Sequence, residues 1–100
     1  MTQGTTPTHT FTLPFSTTEV KRIEICYAQA GRVKLTKGNE DCQFVGNDAI
    51  VKLTQEDTFL FDGKGLVEIQ VRVLTQNDEA LASRVMVVSS GECLSKEVLK

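Results

Sequence analysis

Apolar and polar residues alternate along most of this chain, the period of two that marks a strand with one buried face. In VEIQVRV, Val67, Ile69, Val71 and Val73 share one face and Glu68, Gln70 and Arg72 the other, so the first set is assigned to the core. RIEICY repeats the pattern with Ile23, Ile25 and Tyr27 inward, opposite Arg22, Glu24 and Cys26. It runs into AQAGR, a turn signal around Gly31, and RVKLTKG returns with Val33 and Leu35, which predicts an antiparallel hairpin.

DCQFVGNDAIVKL predicts a second hairpin: Cys42 and Phe44 lead to a turn at Gly46, Asn47 and Asp48, and Ala49, Val51 and Leu53 continue as the partner strand. TQEDTFLFDGKG breaks the alternation. Thr54 can cap the amides of Gln55 to Asp57, and acids suit a helix start, so one helical turn is expected there. Phe59 and Phe61 are expected to drop from it into the core, with Gly63 and Gly65 at the reversal into VEIQVRV. TQNDEA is polar and turn-like, and ALASRVMVV reads as one last long strand of ambiguous phase. In SSGECLSKEVLK, Leu94, Val98 and Leu99 have helical spacing in a segment too short to be stable alone.

At the other end, QGTTPTHTFTL places a threonine at every second position from Thr6 to Thr12. β-branched threonine suits a strand that is polar on one side. Thr8, Thr10 and Thr12 are therefore assigned to the outer face of a first strand, opposite Phe11 and Leu13, with Gln3 to Pro7 leading into it.

Short strands at regular spacing, joined by Gly, Asn and Asp turns, predict an all-β fold: an antiparallel, immunoglobulin-like β-sandwich of about seven strands with one short helical turn near residues 54–58. An incomplete barrel is the alternative architecture. The Cys...Trp...Cys signature of true immunoglobulin domains is absent, since the chain has no Trp. The expected organisation is an extended arm over 1–7, a sandwich over 8–90, and a tail over 91–100 that is either a short helix or disordered.

The chain of 100 residues, 40% hydrophobic and 24% charged, has room for one domain with one core. A formal net charge of -2 leaves no basic field to gather nucleic acid or anionic lipid. The longest apolar run, Val85 to Val88, is far below the roughly 20 residues that cross a bilayer, and no leader-like pattern opens the chain. The expected site of synthesis is the cytoplasm. Cys26, Cys42 and Cys93, an odd number without close spacing, are read as reduced structural thiols.

No catalytic constellation emerges. His9 is the only histidine and lies in a polar segment, where a solvated ring is expected, so no Ser-His-Asp triad can form without it. NEDC at Asn39–Cys42 and the acids near Asn77–Glu79 lack the spacing of a calcium loop, and DGKG lacks the length and hydroxyl of a phosphate cradle. No metal, no cofactor, no small-molecule substrate and no enzymatic activity are expected. What remains is protein contact through open strand edges, where Pro14 would act as a block. Thr8, Thr10, Thr12, Gln70 and Arg72 are the candidate interface residues. A carbohydrate-binding module with Tyr27 as its aromatic, or a module docking on a host protein, are the alternatives.

The succession QGTTPTHTFTL, KRIEICYAQAGRVKLTK, VGNDAIVKLTQEDTFLF and VEIQVRVLTQNDEALAS resembles small prophage proteins of Gram-positive bacteria that are similar to the N-terminal domain of phage upper-baseplate proteins. LTQEDT with VEIQVRVLT is its most distinctive pair, and the likeness runs over about residues 3 to 88. Thr5-Thr6 stands where that group has Asp-Thr. The resemblance implies a structural component of the phage particle, made in the bacterial cytoplasm and bound to other phage structural proteins or to itself. It brings no catalytic residues.

Overall fold

A computed structural model describes residues Met1–Lys100. Eight strands form two antiparallel sheets: β1 (Thr8–Thr12), β2 (Val20–Gln29), β3 (Arg32–Lys37), β4 (Cys42–Val45), β5 (Asp48–Lys52), β6 (Leu66–Thr75), β7 (Ala80–Ala82) and β8 (Met86–Ser89). The smaller sheet has the order β1-β5-β4. In the larger, β3-β2-β6 is continued by β7 and β8, which pair with the same strand β6. The all-β sandwich expected from the alternation is the observed architecture. Its extents of 46 × 30 × 15 Å are those of a flat two-layer object, given that sheets stack about 10 Å apart.

The core is the sum of the alternating faces. Ile23, Ile25 and Tyr27 of β2 and Val67, Ile69, Val71 and Val73 of β6 meet Ala49 and Val51 of β5, with Leu13, Leu53 and Phe61 closing the layer. Two long strands, β2 and β6, pair over most of their length and carry the majority of these side chains. The hairpin between β2 and β3 turns on two residues, Ala30 and Gly31, both at positive φ, the geometry that matches strand twist.

Two inward assignments are wrong. Val33 is 62% exposed because a bulge lies between Tyr27 and Ala28: Tyr27 faces Leu35, but Ala28 faces Val33. The residue skipped shifts the phase by one, and a shift of one moves a side chain to the other face. Phe59 is only partly buried, and Thr58 takes the buried place on that turn, its hydroxyl donating to the Thr5 and Gln55 carbonyls.

The last strand is also not continuous. It splits into β7 and β8 at Ser83, whose backbone N–H donates to the Val71 carbonyl at 2.8 Å while its hydroxyl accepts from the Val71 N–H at 3.0 Å. The side chain thus replaces a ladder bond, and the strand count becomes eight. The helical spacing of Leu94, Val98 and Leu99 is not realised: Glu92–Lys100 forms no helix, and Leu94 is 97% exposed. Side-chain amides hold this backbone instead. Gln55 exchanges two hydrogen bonds with Leu99, at 2.9 and 2.8 Å, and Gln3 accepts from the Cys93 N–H.

The helical turn is the one expected. α1 (Gln55–Phe59) starts from Thr54, whose hydroxyl accepts from the Asp57 N–H while the Asp57 carboxylate accepts from the Thr54 N–H, a reciprocal capping box. Gly63 is required by close approach: a Cβ there would lie 2.5 Å from the Glu92 Cα, so the turn before β6 lets the chain end pass over it.

Truncating the wholly buried Ile25 to Ala is expected to lower unfolding free energy by about 2–5 kcal/mol, whereas Val33→Ala stays within about 0.5 kcal/mol. Urea unfolding of the two variants checks both the core and the bulge.

Candidate interaction surface

The two layers are unequal, and their open side is formed by β1 and by β7 with β8. β1 pairs only with β5. The ladder direction follows from its ends: the Pro7 carbonyl accepts from the Leu53 N–H at 2.9 Å, and the Leu13 N–H donates to the Asn47 carbonyl at 2.8 Å. Hydrogen-bonded pairs recur at every second residue of an antiparallel ladder, so His9 and Phe11 bond to β5. Thr8, Thr10 and Thr12 therefore turn their N–H and C=O groups to the free edge. Their side chains lie on the outer face, where the Thr12 hydroxyl donates to the Asp48 carboxylate at 2.7 Å.

Between this edge and the overhanging β7 and β8 lies an open cleft of about 440 Å³. Phe11, Leu13, Phe15, Val73, Leu81 and Met86 supply its apolar walls, and no charged side chain lines it. Of these walls, Leu81 and Met86 remain exposed. The cleft exists because a three-stranded layer cannot cover the whole width of the larger sheet.

Gln70 and Arg72 lie elsewhere. They project from the outer face of the large sheet, opposite the threonines, where the Gln70 amide donates to the Ser83 carbonyl at 3.0 Å and Arg72 pairs with Glu24 at 3.4 Å. The five candidate residues thus form two separate surfaces. The cleft residues Leu81 and Met86 were not singled out from sequence, because their exposure depends on sheet order and not on local pattern.

His9 is not solvated. Its ring stacks on Tyr27 with centroids 5.6 Å apart, meets Phe11 edge-on at 6.3 Å, and has Nδ1 2.7 Å from the Tyr27 hydroxyl. Burial lowers the His9 pKa, with the N-terminal ammonium adding to the effect. Burial also raises that of Tyr27, assisted by the nearby Cys42 and Asp57. One hydrogen bond joins the ring and the phenol, and Tyr27, wholly buried, offers no face to a sugar.

A second polar contact lies between β3 and α1, where Lys37 pairs with Asp57 at 2.9 Å with both side chains 14% exposed. Burial pushes the Asp57 carboxyl up, but the Thr54 N–H and the Lys37 ammonium outweigh it and hold the group below its ordinary value. Cys26, Cys42 and Cys93 are unpaired and half-buried. Burial raises the Cys26 and Cys42 thiols, which disfavours the thiolate needed of a nucleophile. No group of three or more His, Cys, Asp or Glu side chains is placed to share a metal ion, and no helix is long and apolar enough to cross a membrane.

Comparison with protein-family models, with curated proteins and with solved structures finds no match to this chain.

The lowered His9 pKa has a defined consequence. The unfolded chain keeps the ordinary value of 6.5 and binds the proton more readily, so stability is full above that pH and is lost as pH falls through the folded pKa. Melting temperature is expected to decline as pH drops from neutrality to about 5, before most carboxylates titrate. His9→Gln should flatten that slope; an unchanged slope in the variant would assign the titration to another group.

Proposed function

We propose that this chain is a non-catalytic structural module that joins a larger protein assembly through its open side, and that the assembly is the tail or baseplate of a phage particle. The single observation that carries the assembly reading is the coincidence of an unpaired, uncharged strand edge at β1 with an apolar cleft directly beside it. Exposed edge amides are a template for further pairing, and apolar surface next to them favours a protein partner over a charged or sugar ligand. The phage setting rests on the likeness of QGTTPTHTFTL, LTQEDT and VEIQVRVLT to upper-baseplate proteins.

Two measurements test the two halves separately. Mass spectrometry of phage particles purified after prophage induction in the source strain is expected to find the chain at a fixed ratio to the tail proteins; its absence from particles removes the phage setting. Purified chain is expected to capture a purified tail protein encoded beside it, and Leu81→Asp with Met86→Asp should weaken that capture by about tenfold or more, since each carboxylate would be buried unpaired at the contact. Capture of none of these proteins, with the chain absent from particles, overturns the reading as a whole.

A further inference from the structure

The four strand edges of the sandwich are not equally open. β3 carries Arg32, Lys34 and Lys37 and is bulged opposite β2, two devices that discourage pairing. β7 and β8 are short and interrupted at Ser83, and the N-terminal ammonium of Met1 donates to the Ser89 carbonyl at the end of β8. β4 is four residues long and lies at the end of the small sheet away from the cleft. β1 alone is five residues without a charge, a proline or a bulge, and it alone has an apolar cleft under its free edge.

We infer that β1 binds an extended peptide segment of another protein by strand addition, with the segment's backbone on Thr8, Thr10 and Thr12 and every second side chain in the cleft. The inference rests on the assembly reading above and names the chemistry of the partner. The outward N–H and C=O groups of these threonines require a partner that offers a backbone ladder in return. A strand laid there becomes the fourth of the small sheet, and its inward side chains descend onto Phe11, Leu81 and Met86. The walls carry no charge, so those inward residues are aliphatic or small aromatic, while the outward ones share the polar face with the threonines.

Pro14 bounds the site. It stands in the even phase, where its missing N–H would face the added strand, so the ladder ends at Thr12.

The probe is a capped peptide, acetyl-KTVTVTVTK-amide, whose valines suit the cleft and whose threonines suit the outer face. Hydrogen exchange followed by NMR is expected to show added protection at the Thr8, Thr10 and Thr12 amides, with the His9 and Phe11 amides, already bonded to β5, little changed. Thr10→Pro removes only an outward N–H and should weaken peptide binding by about tenfold, as should Met86→Lys, which leaves the edge intact. Melting curves identify any variant that has lost its fold, and each substitution then stands in for the other.

No protection of the even amides, or equal binding by both folded variants, overturns strand addition. So does protection of those amides by self-association without peptide, which would make the occupant a second copy. Capture of a tail protein that persists unchanged in Thr10→Pro also overturns strand addition, yet it leaves the assembly reading standing on another surface.

Discussion

The constraint on which this structure depends is the packing of a three-stranded sheet over a wider one. β2 and β6, paired along ten-residue strands, form the wide floor, and β5 is the middle strand of the cover. Where β5 lies over the floor, Ala49 and Val51 are wholly buried against Ile25, Tyr27 and Val67. Burial of this kind supplies the main drive to fold. The cover runs out before the floor does, and the same side-chain alternation that seals the centre leaves Leu81 and Met86 open at one margin. The cleft is thus a direct consequence of the unequal sheets.

The opposite margin is closed by polar chemistry. Lys37 and Asp57 meet where β3 comes to α1, and the Asn39 side chain accepts from the Ile23 N–H at 2.7 Å while donating to the Lys21 carbonyl. Two buried glutamines, one at the end of β2 and one near the N-terminus, take over the same work. Gln29 holds the turn at Asp62 and Lys64 through three backbone contacts, and Gln3 bonds the Phe61 carbonyl at 2.7 Å and receives Lys96 at 2.6 Å. No buried side-chain nitrogen or oxygen is left without a partner. Since an unpaired buried polar group costs about 1–3 kcal/mol, these side-chain contacts favour the observed loop conformations over ones that would leave the amides unpaired. The neutral cleft and the polar margin are therefore complementary outcomes of one layout, with the least exposed ion pair, Lys37–Asp57, at the margin and no charged side chain in the cleft.

Much of this was legible in the sequence wherever the rule was local. The inward faces of β2, β5 and β6, both hairpins and the Thr54 cap follow from period two and turn chemistry, which depend only on near neighbours. Val33 was misread because a bulge changes the phase without leaving a composition signal, and the ALASRVMVV strand because Ser83 substitutes its own hydroxyl for a ladder bond. His9 looked solvated among threonines, yet its partner Tyr27 lies 18 residues away on the facing sheet. The cleft was beyond reach for the same reason: Leu81 and Met86, five apart, fall on opposite faces of one continuous strand, and only the split at Ser83 and the order of the strands bring both to the cleft.

The threonine repeat is where local and global constraints meet. An open edge ordinarily invites uncontrolled pairing, and proteins answer with charge, proline or a bulge; β3 uses two of these and β1 none. Lysine at Thr8, Thr10 or Thr12 would keep the strand soluble as well as threonine does, but its long charged arm would work against an added strand. Threonine keeps β-propensity, polarity and a short side chain together, so the outer face stays wet while the edge amides stay accessible. Pro7 and Pro14 then limit the open ladder to the five residues between Thr8 and Thr12. An edge that is polar, uncharged and limited in length in this way is built to accept a short strand and to stop there.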